Sequence, residues 1–115
     1  MGAIGRNLGS LVASSQKLTQ VRKADLQVGD HIFVETSNSV YRIQVLDGGV
    51  YNVSGGWFDR KGLSPTKITI TGCTCGGSVI KVDIVAARGL CLEFGNRLTT
   101  STIRNVFLLS AVRRN

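Results

Sequence analysis

The sequence predicts an all-β protein, and three of its features carry that prediction. Val, Ile and Thr are abundant, whereas the strong helix formers Ala, Glu, Lys and Gln are sparse. Fourteen glycines and a single proline punctuate a chain of 115 residues. Short runs of alternating apolar and polar residues lie between turns about every ten positions, which is typical of a small antiparallel barrel or sandwich of roughly six or seven short strands.

Length and composition predict one domain. A chain of 115 residues is too short to form two separate hydrophobic cores. Its 43% of apolar and 18% of charged residues are the balance of a chain that packs. We expect residues 25–115 to form a single β-barrel domain, preceded by a distinct segment of residues 1–24.

Residues 1–24 are basic and contain several glycines and serines. Apolar positions from Leu11 to Val21 fall near helical spacing, and Ser10 is a suitable N-cap. Serine and β-branched residues dilute the helical preference, however. The segment is therefore predicted to be either a short amphipathic helix or a flexible basic arm.

The domain is predicted to open with a turn and a strand. Gly29 supplies the positive φ that a turn over residues 25–30 needs, and apolar branched and aromatic residues follow in residues 31–35. This opening resembles the first strand of SH3-like and related small barrels. The resemblance implies an SH3-like barrel, which we favour, and it implies no activity.

A β-meander follows. Tyr41, Ile43 and Val45 share one face of a strand over residues 40–46, while the polar residues between them share the other. Residues 47–49 have the Asp-Gly-Gly composition of a hairpin turn, after which residues 50–53 form the returning strand.

The second half of the chain is predicted to hold more short strands. These strands lie in residues 67–71, 78–85, 90–94 and 98–109, the last stretch forming one or two. Gly72 is expected to end the first of them. In the third, Leu90, Leu92 and Phe94 continue an inward apolar row.

The sequence favours a soluble, cytoplasmic protein. Residues 1–9 lack the apolar core and the cleavage pattern of a secretory signal. No apolar run approaches the roughly 20 residues that a membrane-spanning helix needs. Three cysteines are an odd number in a chain without an export signal, so we expect reduced thiols.

Residues suited to catalysis are few, and we expect no enzyme and no cofactor. His31 is the only histidine, and no nucleophile motif accompanies it. Cys73, Cys75, Cys91 and His31 form a weak candidate set for a metal, because structural zinc sites use a knuckle with two to four intervening residues. Buried or half-buried thiols are the favoured interpretation. No phosphate-binding glycine motif is present.

The connection over residues 56–62 is the most informative segment. Trp57 and Phe58 offer planar faces for base stacking, and Arg60 and Lys61 offer charges for a phosphate backbone. The same residues would suit a hydrophobic anchor in a protein interface. The alternative is that the lone tryptophan folds back as a lid on the core.

The net charge of +7 attracts anionic partners. Five further cations are predicted at outward or strand-end positions, where they either form one basic face or scatter over the surface: Arg42, Lys67, Lys81, Arg97 and Arg104. The leading hypothesis is a non-enzymatic binding module that contacts nucleic acid or another polyanion through these cations and residues 57–61.

The alternative hypothesis is a structural or assembly protein. In that case the N-terminal arm and exposed strand edges would join subunits into a homo-oligomer. Few charges and the apolar run Phe107-Leu108-Leu109 favour such packing.

Overall fold

The computed structural model describes residues 15–75 and 79–111. Those residues hold eleven β-strands, one short helix and two 3₁₀ turns, so the all-β prediction is confirmed. Within the same ranges, no helix has the length and apolar character needed to cross a membrane. The strands are β1 (Gln16–Leu18), β2 (Gln20–Arg22), β3 (His31–Thr36), β4 (Val40–Val45), β5 (Tyr51–Gly55), β6 (Thr66–Ile68), β7 (Ile70–Cys75), β8 (Val79–Lys81), β9 (Ile84–Ala87), β10 (Cys91–Phe94) and β11 (Ile103–Leu109).

The largest sheet has six antiparallel strands in the order β1-β11-β3-β4-β5-β6. Strands β3, β4 and β5 are the predicted meander, and the turn at Asp47–Gly49 joins the last two. Because β1 and β6 are both edges, the sheet does not close into a barrel. The SH3-like form stays a prediction from the opening strand.

Two smaller sheets complete the fold. One has the order β10-β7-β8, and the other pairs β2 with β9. Tyr41 of β4 and Phe94 of β10 approach with ring centroids 5.7 Å apart, so the six-stranded and three-stranded sheets meet across one core. The helix α1 (Gly56–Arg60) inserts Phe58 between them, 5.1 Å from the Phe94 ring.

Alternation along β4 is confirmed. Tyr41, Ile43 and Val45 are buried, whereas Arg42 is exposed on the opposite face. The inward direction of Leu92 and Phe94 is confirmed as well, because neither has any exposed surface. Side chains on alternate positions of a strand point to opposite faces, and this rule placed them correctly.

The N-terminal prediction is wrong over its described part. Residues 16–22 form β1 and β2 in place of a helix or an arm, since β1 pairs with β11 and β2 pairs with β9. Strand pairing gives hydrogen-bond partners to the backbone N–H and C=O groups that a helix would have paired locally. Contacts with distant strands therefore override a weak helix propensity. Residues 1–14 of the predicted arm lie outside the described residues.

Two predicted strands are divided. Residues 67–71 are split at Thr69, because β6 belongs to the six-stranded sheet and β7 to the three-stranded one. Gly72 does not end a strand but lies inside β7, where a Cβ atom would collide with the Lys81 carbonyl. The predicted strand over 78–85 turns at Val82 and Asp83, and its second part becomes β9. Period-two alternation alone did not reveal where the chain changes sheets.

Candidate functional site

The turn between β3 and β4 is held in one shape by Thr36. Its Oγ1 atom accepts hydrogen bonds from the backbone N–H of Ser39 at 3.0 Å and of Asn38 at 3.3 Å. The same hydroxyl donates to the Ser39 carbonyl at 3.1 Å. Thr36 is buried, so these bonds are shielded from water. A threonine that closes a turn on its own backbone fixes the direction of the residues between.

A second set of bonds ties this turn to the connection before β11. The backbone N–H of Ser37 donates to the Thr102 carbonyl at 3.0 Å, and that of Asn38 donates to Ser101 Oγ at 3.2 Å. The turn is therefore fixed from two directions.

Arg104 reaches this turn from β11. The register of β11 against β3 shifts between Ile103 and Asn105, which leaves Arg104 at the irregularity. Such bulges re-aim a side chain relative to a regular strand. Here the Arg104 Nε donates to Ser37 Oγ at 3.3 Å.

Arg60 reaches the same turn from α1. Its Nη1 atom donates to Ser39 Oγ at 3.2 Å. Ser37, Ser39, Arg60 and Arg104 are together named the arginine turn below. Both guanidinium groups are exposed and bond to hydroxyl oxygens instead of carboxylates. Each serine occupies one of the five N–H donors of its arginine, which leaves donors for an anion.

Helix α1 is too short to be stable alone, and its position comes from side-chain anchors. Phe58 is 1% exposed in the core. The Trp57 backbone N–H donates to the Tyr41 hydroxyl at 3.3 Å, and the Asp59 carboxylate accepts from the Gly55 N–H at 3.0 Å. Gly56 has φ of 45° and lies so close to the Tyr41 ring that a Cβ atom would overlap it.

The structure places the two predicted aromatic residues differently. Phe58 is buried and has no face available to a base. Trp57 is half-buried and packs edge-on against Phe58, with ring centroids 5.3 Å apart. The alternative that the lone tryptophan folds back on the core therefore describes Trp57 in part, and Phe58 is the residue that is fully buried.

Two of the predicted cations, Arg60 and Arg104, belong to the arginine turn, and two more are close to it in the sequence. Lys61 follows Arg60 directly, and Arg42 lies three residues beyond Ser39. Arg42 projects from the outer face of the six-stranded sheet, with its guanidinium carbon 6.0 Å from the centre of the Phe33 ring. All four are exposed.

The remaining three predicted cations are exposed but lie elsewhere. Lys67 is on β6, opposite Asn52. Lys81 is on the edge strand β8. Arg97 lies in the turn that follows β10, where its backbone N–H donates to the Phe94 carbonyl at 2.9 Å. The structure thus brings two of the seven predicted cations to one turn and leaves Lys67, Lys81 and Arg97 on other elements.

Residues that the sequence did not single out are Ser37 and Ser39 of the arginine turn and Arg88, which is not part of that turn. Arg88 is exposed and precedes Gly89, whose N–H donates to the Ile103 carbonyl at 2.8 Å. This bond places Arg88 beside the start of β11. Residues 36–39 are polar, as suits a turn, but nothing in that composition indicates that two distant arginines would bond there.

Two exposed carboxylates adjoin the arginine turn in the sequence, because Asp59 directly precedes Arg60 and Glu35 lies two residues before Ser37. Glu35 is exposed on β3, opposite Val40 and Asn105 of the neighbouring strands. Its Oε1 atom accepts a hydrogen bond from Asn105 Nδ2 at 2.7 Å.

A cleft of about 250 Å³ lies at the other end of β4. Its lining includes Lys23, Asp47, Gly48, Gly49 and Tyr51. The Lys23 ammonium donates to the Thr71 carbonyl at 3.3 Å. Burial raises the pKa of the Tyr51 hydroxyl. The cleft contains one cation and one anion.

The weak metal set is not assembled. No group of three or more His, Cys, Asp or Glu side chains within residues 15–75 and 79–111 could hold a metal ion. Cys73 points into the core, and burial raises the pKa of its thiol to about 11. His31 lies on the six-stranded sheet, whereas Cys73 and Cys91 lie on the three-stranded one.

Function has to be inferred from the arginine turn and its surroundings, because the comparisons with known proteins found no family model, no curated protein and no solved structure that matches this chain.

Proposed function

We propose that this protein is a non-enzymatic binding module that contacts the phosphate backbone of a nucleic acid through the arginine turn. The observation that supports the proposal is the pair of exposed guanidinium groups fixed on one rigid turn by Ser37 and Ser39. Arginine is the residue best suited to phosphate, because its planar fork donates two parallel hydrogen bonds to the oxygens.

The serine bonds matter because they lower the cost of binding. A free arginine side chain loses about 0.5–1.5 kcal/mol of conformational entropy when an interface immobilises it. Arg60 and Arg104 are already held by their serines. A hydroxyl partner also leaves the positive charge uncompensated, whereas a carboxylate partner would cancel it.

Two further exposed cations are close to the arginine turn in the sequence. Arg42 lies on β4 beyond the turn, and Lys61 follows Arg60 on the chain. The overall charge of +7 draws anions toward the protein from a distance, which raises the rate of encounter. Contacts to phosphate carry no sequence information, so we expect binding with little sequence preference.

The test is a titration of fluorescein-labelled single-stranded DNA and RNA by anisotropy at several salt concentrations. We expect affinity to fall as salt rises, because bound phosphates release counterions. The double variant Arg60→Gln with Arg104→Gln should weaken binding about 10-fold or more and reduce the salt slope by about 1.4, or 0.7 for each lost single-strand phosphate contact.

A matched control removes two exposed cations elsewhere. Arg22→Gln with Arg97→Gln lowers the net charge equally but leaves the arginine turn intact. This control should weaken binding far less. Equal effects of the two double variants would show a general charge effect and refute the site, and no binding at low salt would refute the function.

The single tryptophan provides a local readout. Trp57 lies one helical turn before Arg60, so a polyanion at the arginine turn should change its fluorescence. Heparin in place of nucleic acid separates a phosphate preference from binding to any polyanion, because sulfate groups do not share the geometry of a phosphodiester backbone.

A further inference from the structure

The cleft of about 250 Å³ at the Asp47 end of β4 is bounded by two segments of the chain, residues 23–28 and 45–51. Backbone hydrogen bonds hold these segments together. The Gly29 N–H donates to the Val45 carbonyl at 2.9 Å, and the Val45 N–H donates to the Asp30 carbonyl at 2.9 Å. The walls of the cleft are therefore set by the fold.

The hydroxyl of Tyr51 points to a ligand at this cleft. Tyr51 lines the cleft and is only 5% exposed. Within residues 15–75 and 79–111 its hydroxyl has no hydrogen-bond partner, and Thr74 Oγ1 is the only unpartnered side-chain atom there that is fully enclosed. The Tyr51 oxygen therefore keeps some contact with solvent, which it meets in the cleft. Buried hydroxyls usually have a partner, so this one is available to a bound molecule.

Opposite charges lie on opposite walls of the cleft. Lys23 is half-buried, and its ammonium donates one N–H to the Thr71 carbonyl at 3.3 Å, which leaves two donors. Asp47 is exposed on the other wall. No ion pair joins these two described side chains. Both charges therefore remain available to a molecule that lies between them.

The rest of the lining is largely apolar. Leu26 lies on the first wall, and Val45 and Leu46 lie on the second. Val28, which is 60% exposed, extends the apolar surface of the first wall. A mostly apolar lining with a few placed polar groups is typical of small-molecule sites.

We propose that this cleft binds a free amino acid with an aliphatic side chain, such as leucine. Its carboxylate bonds to the Lys23 ammonium and the Tyr51 hydroxyl. Its ammonium lies toward the Asp47 carboxylate, and its side chain packs against Leu26 and Val45. This inference is independent of the proposed nucleic-acid binding.

The charges of the cleft favour a zwitterion over a simple ion. An anion without a positive group would face the Asp47 carboxylate, and a cation without a negative group would face the Lys23 ammonium. Like charges at close range repel, whereas a zwitterion gives each wall an opposite charge.

The size of the cleft agrees with this ligand. At roughly 30 Å³ for each water molecule, the cleft holds about eight waters, and leucine has about nine non-hydrogen atoms. For a ligand this small we expect a Kd on the order of 1 mM.

The first test is a titration of the full-length ¹⁵N-labelled chain with L-leucine, followed by NMR. The amide signals of Gly48 and Gly49 report on the cleft, because both residues line it. Isocaproate has the same aliphatic body without the ammonium, and isoamylamine has it without the carboxylate. We expect each of these two compounds to bind at least about fivefold more weakly than leucine, because each loses a charge-assisted hydrogen bond.

The second test assigns each ligand group to a residue. Tyr51→Phe removes only the hydroxyl and should weaken leucine about threefold or more. Lys23→Gln should weaken leucine and isocaproate but not isoamylamine. Asp47→Asn should weaken leucine and strengthen isocaproate, because the repulsion of the carboxylate is gone. Arg22→Gln is the matched control for Lys23→Gln, since Arg22 is exposed and does not line the cleft, and it should change none of these affinities.

Three results would overturn the proposal. The first is an absence of shifts at Gly48 and Gly49 with leucine at up to about 50 times the expected Kd. The second is equal binding of leucine, isocaproate and isoamylamine. The third is an equal effect of Lys23→Gln and Arg22→Gln on leucine binding.

A further variant separates this proposal from nucleic-acid binding. Arg60→Gln with Arg104→Gln changes the arginine turn and leaves the cleft intact. It should bind leucine as the wild-type protein does while it loses affinity for single-stranded DNA. Loss of leucine binding in this double variant would contradict the independence of the two sites.

Discussion

The two ends of β4 carry the same kinds of residue but differ in how their cations are paired. At the end near Ser39, two guanidinium groups bond to serine hydroxyls and keep their full charge. At the end near Asp47, the Lys23 ammonium lies in a cleft with a carboxylate and donates to a backbone carbonyl. The first end therefore presents two exposed guanidinium groups to an anion, whereas the second holds one half-buried ammonium in a cleft that a carboxylate also lines.

This difference shows that the partner of a cation matters more than the number of cations. The chain has fourteen Lys and Arg residues, and a count alone would assign no place to an anion. A cation attracts phosphate most strongly when no carboxylate is bonded to it and when other contacts hold its side chain in place before binding. The following four predictions test whether the two ends differ for this reason.

The largest effect is expected for Phe58→Ala. This change empties a core position that contacts a ring of the six-stranded sheet and a ring of the three-stranded sheet. We expect the free energy of unfolding to fall by about 3–5 kcal/mol. Because α1 depends on Phe58, Arg60 should also lose its position and nucleic-acid affinity should fall. Urea denaturation measures the first effect. A loss below about 1 kcal/mol, as for the exposed control Val28→Ala, would show that α1 is held by other contacts.

A smaller effect is expected for Ser37→Ala combined with Ser39→Ala. The arginines keep their charge but lose their hydroxyl partners, so affinity for single-stranded DNA should fall about fivefold or more, in line with about 0.5 kcal/mol or more for each of the two freed side chains. The salt slope should stay unchanged, because the number of charges is the same. A change in slope would show that the serines themselves contact phosphate.

A still smaller effect is expected when one carboxylate is neutralised at either end. Glu35→Gln and Asp47→Asn each change the net charge from +7 to +8. Glu35→Gln lies near the arginine turn and should raise affinity about twofold, as expected for two charges about 10 Å apart in water. Asp47 lies farther from the arginine turn than the Debye length, the distance over which dissolved salt screens charges, so Asp47→Asn should change affinity less. Equal gains from both variants would mean that the two ends are equivalent.

The smallest effect is expected from the titration of His31, which makes the free energy of unfolding depend on pH. Burial lowers the pKa of His31, Arg42 lowers it further, and Asp30 partly opposes both effects. The unfolded chain therefore binds a proton more readily than the folded one. The free energy of unfolding should be greatest above pH 6.5, the ordinary value for histidine, and should fall as the pH drops through the lowered pKa. His31→Gln should remove this part of the pH dependence in urea titrations, and an unchanged profile would assign it to other groups.

Local patterns were sufficient for the meander. Alternation along β4 and the Asp-Gly-Gly turn predicted both strands and the buried face, because these features depend on neighbouring residues only. Alternation failed at Thr69 and at Val82, where the chain moves to another sheet. A residue pattern of period two is the same before and after such a change.

The candidate site was predicted in part for a similar reason. Exposure of the charged residues follows from their chemistry, since burying an unpaired cation is costly. The grouping of Arg60 with Arg104 does not follow, because these residues are far apart in sequence and meet only through the β3–β4 turn. The burial of Phe58 was likewise decided by the aromatic rings that the two sheets bring around it.

The sequence by itself determined an all-β chain, its central hairpins, its exposed cations and its positive charge, since each depends on composition or on contacts between close neighbours. The tertiary structure alone decided that the sheets remain open, that residues 16–22 become strands, and which arginines share a turn. Those outcomes depend on pairing between distant segments. The sequence of a strand determines the shape and polarity of its two faces, but it does not specify which distant strand pairs with it.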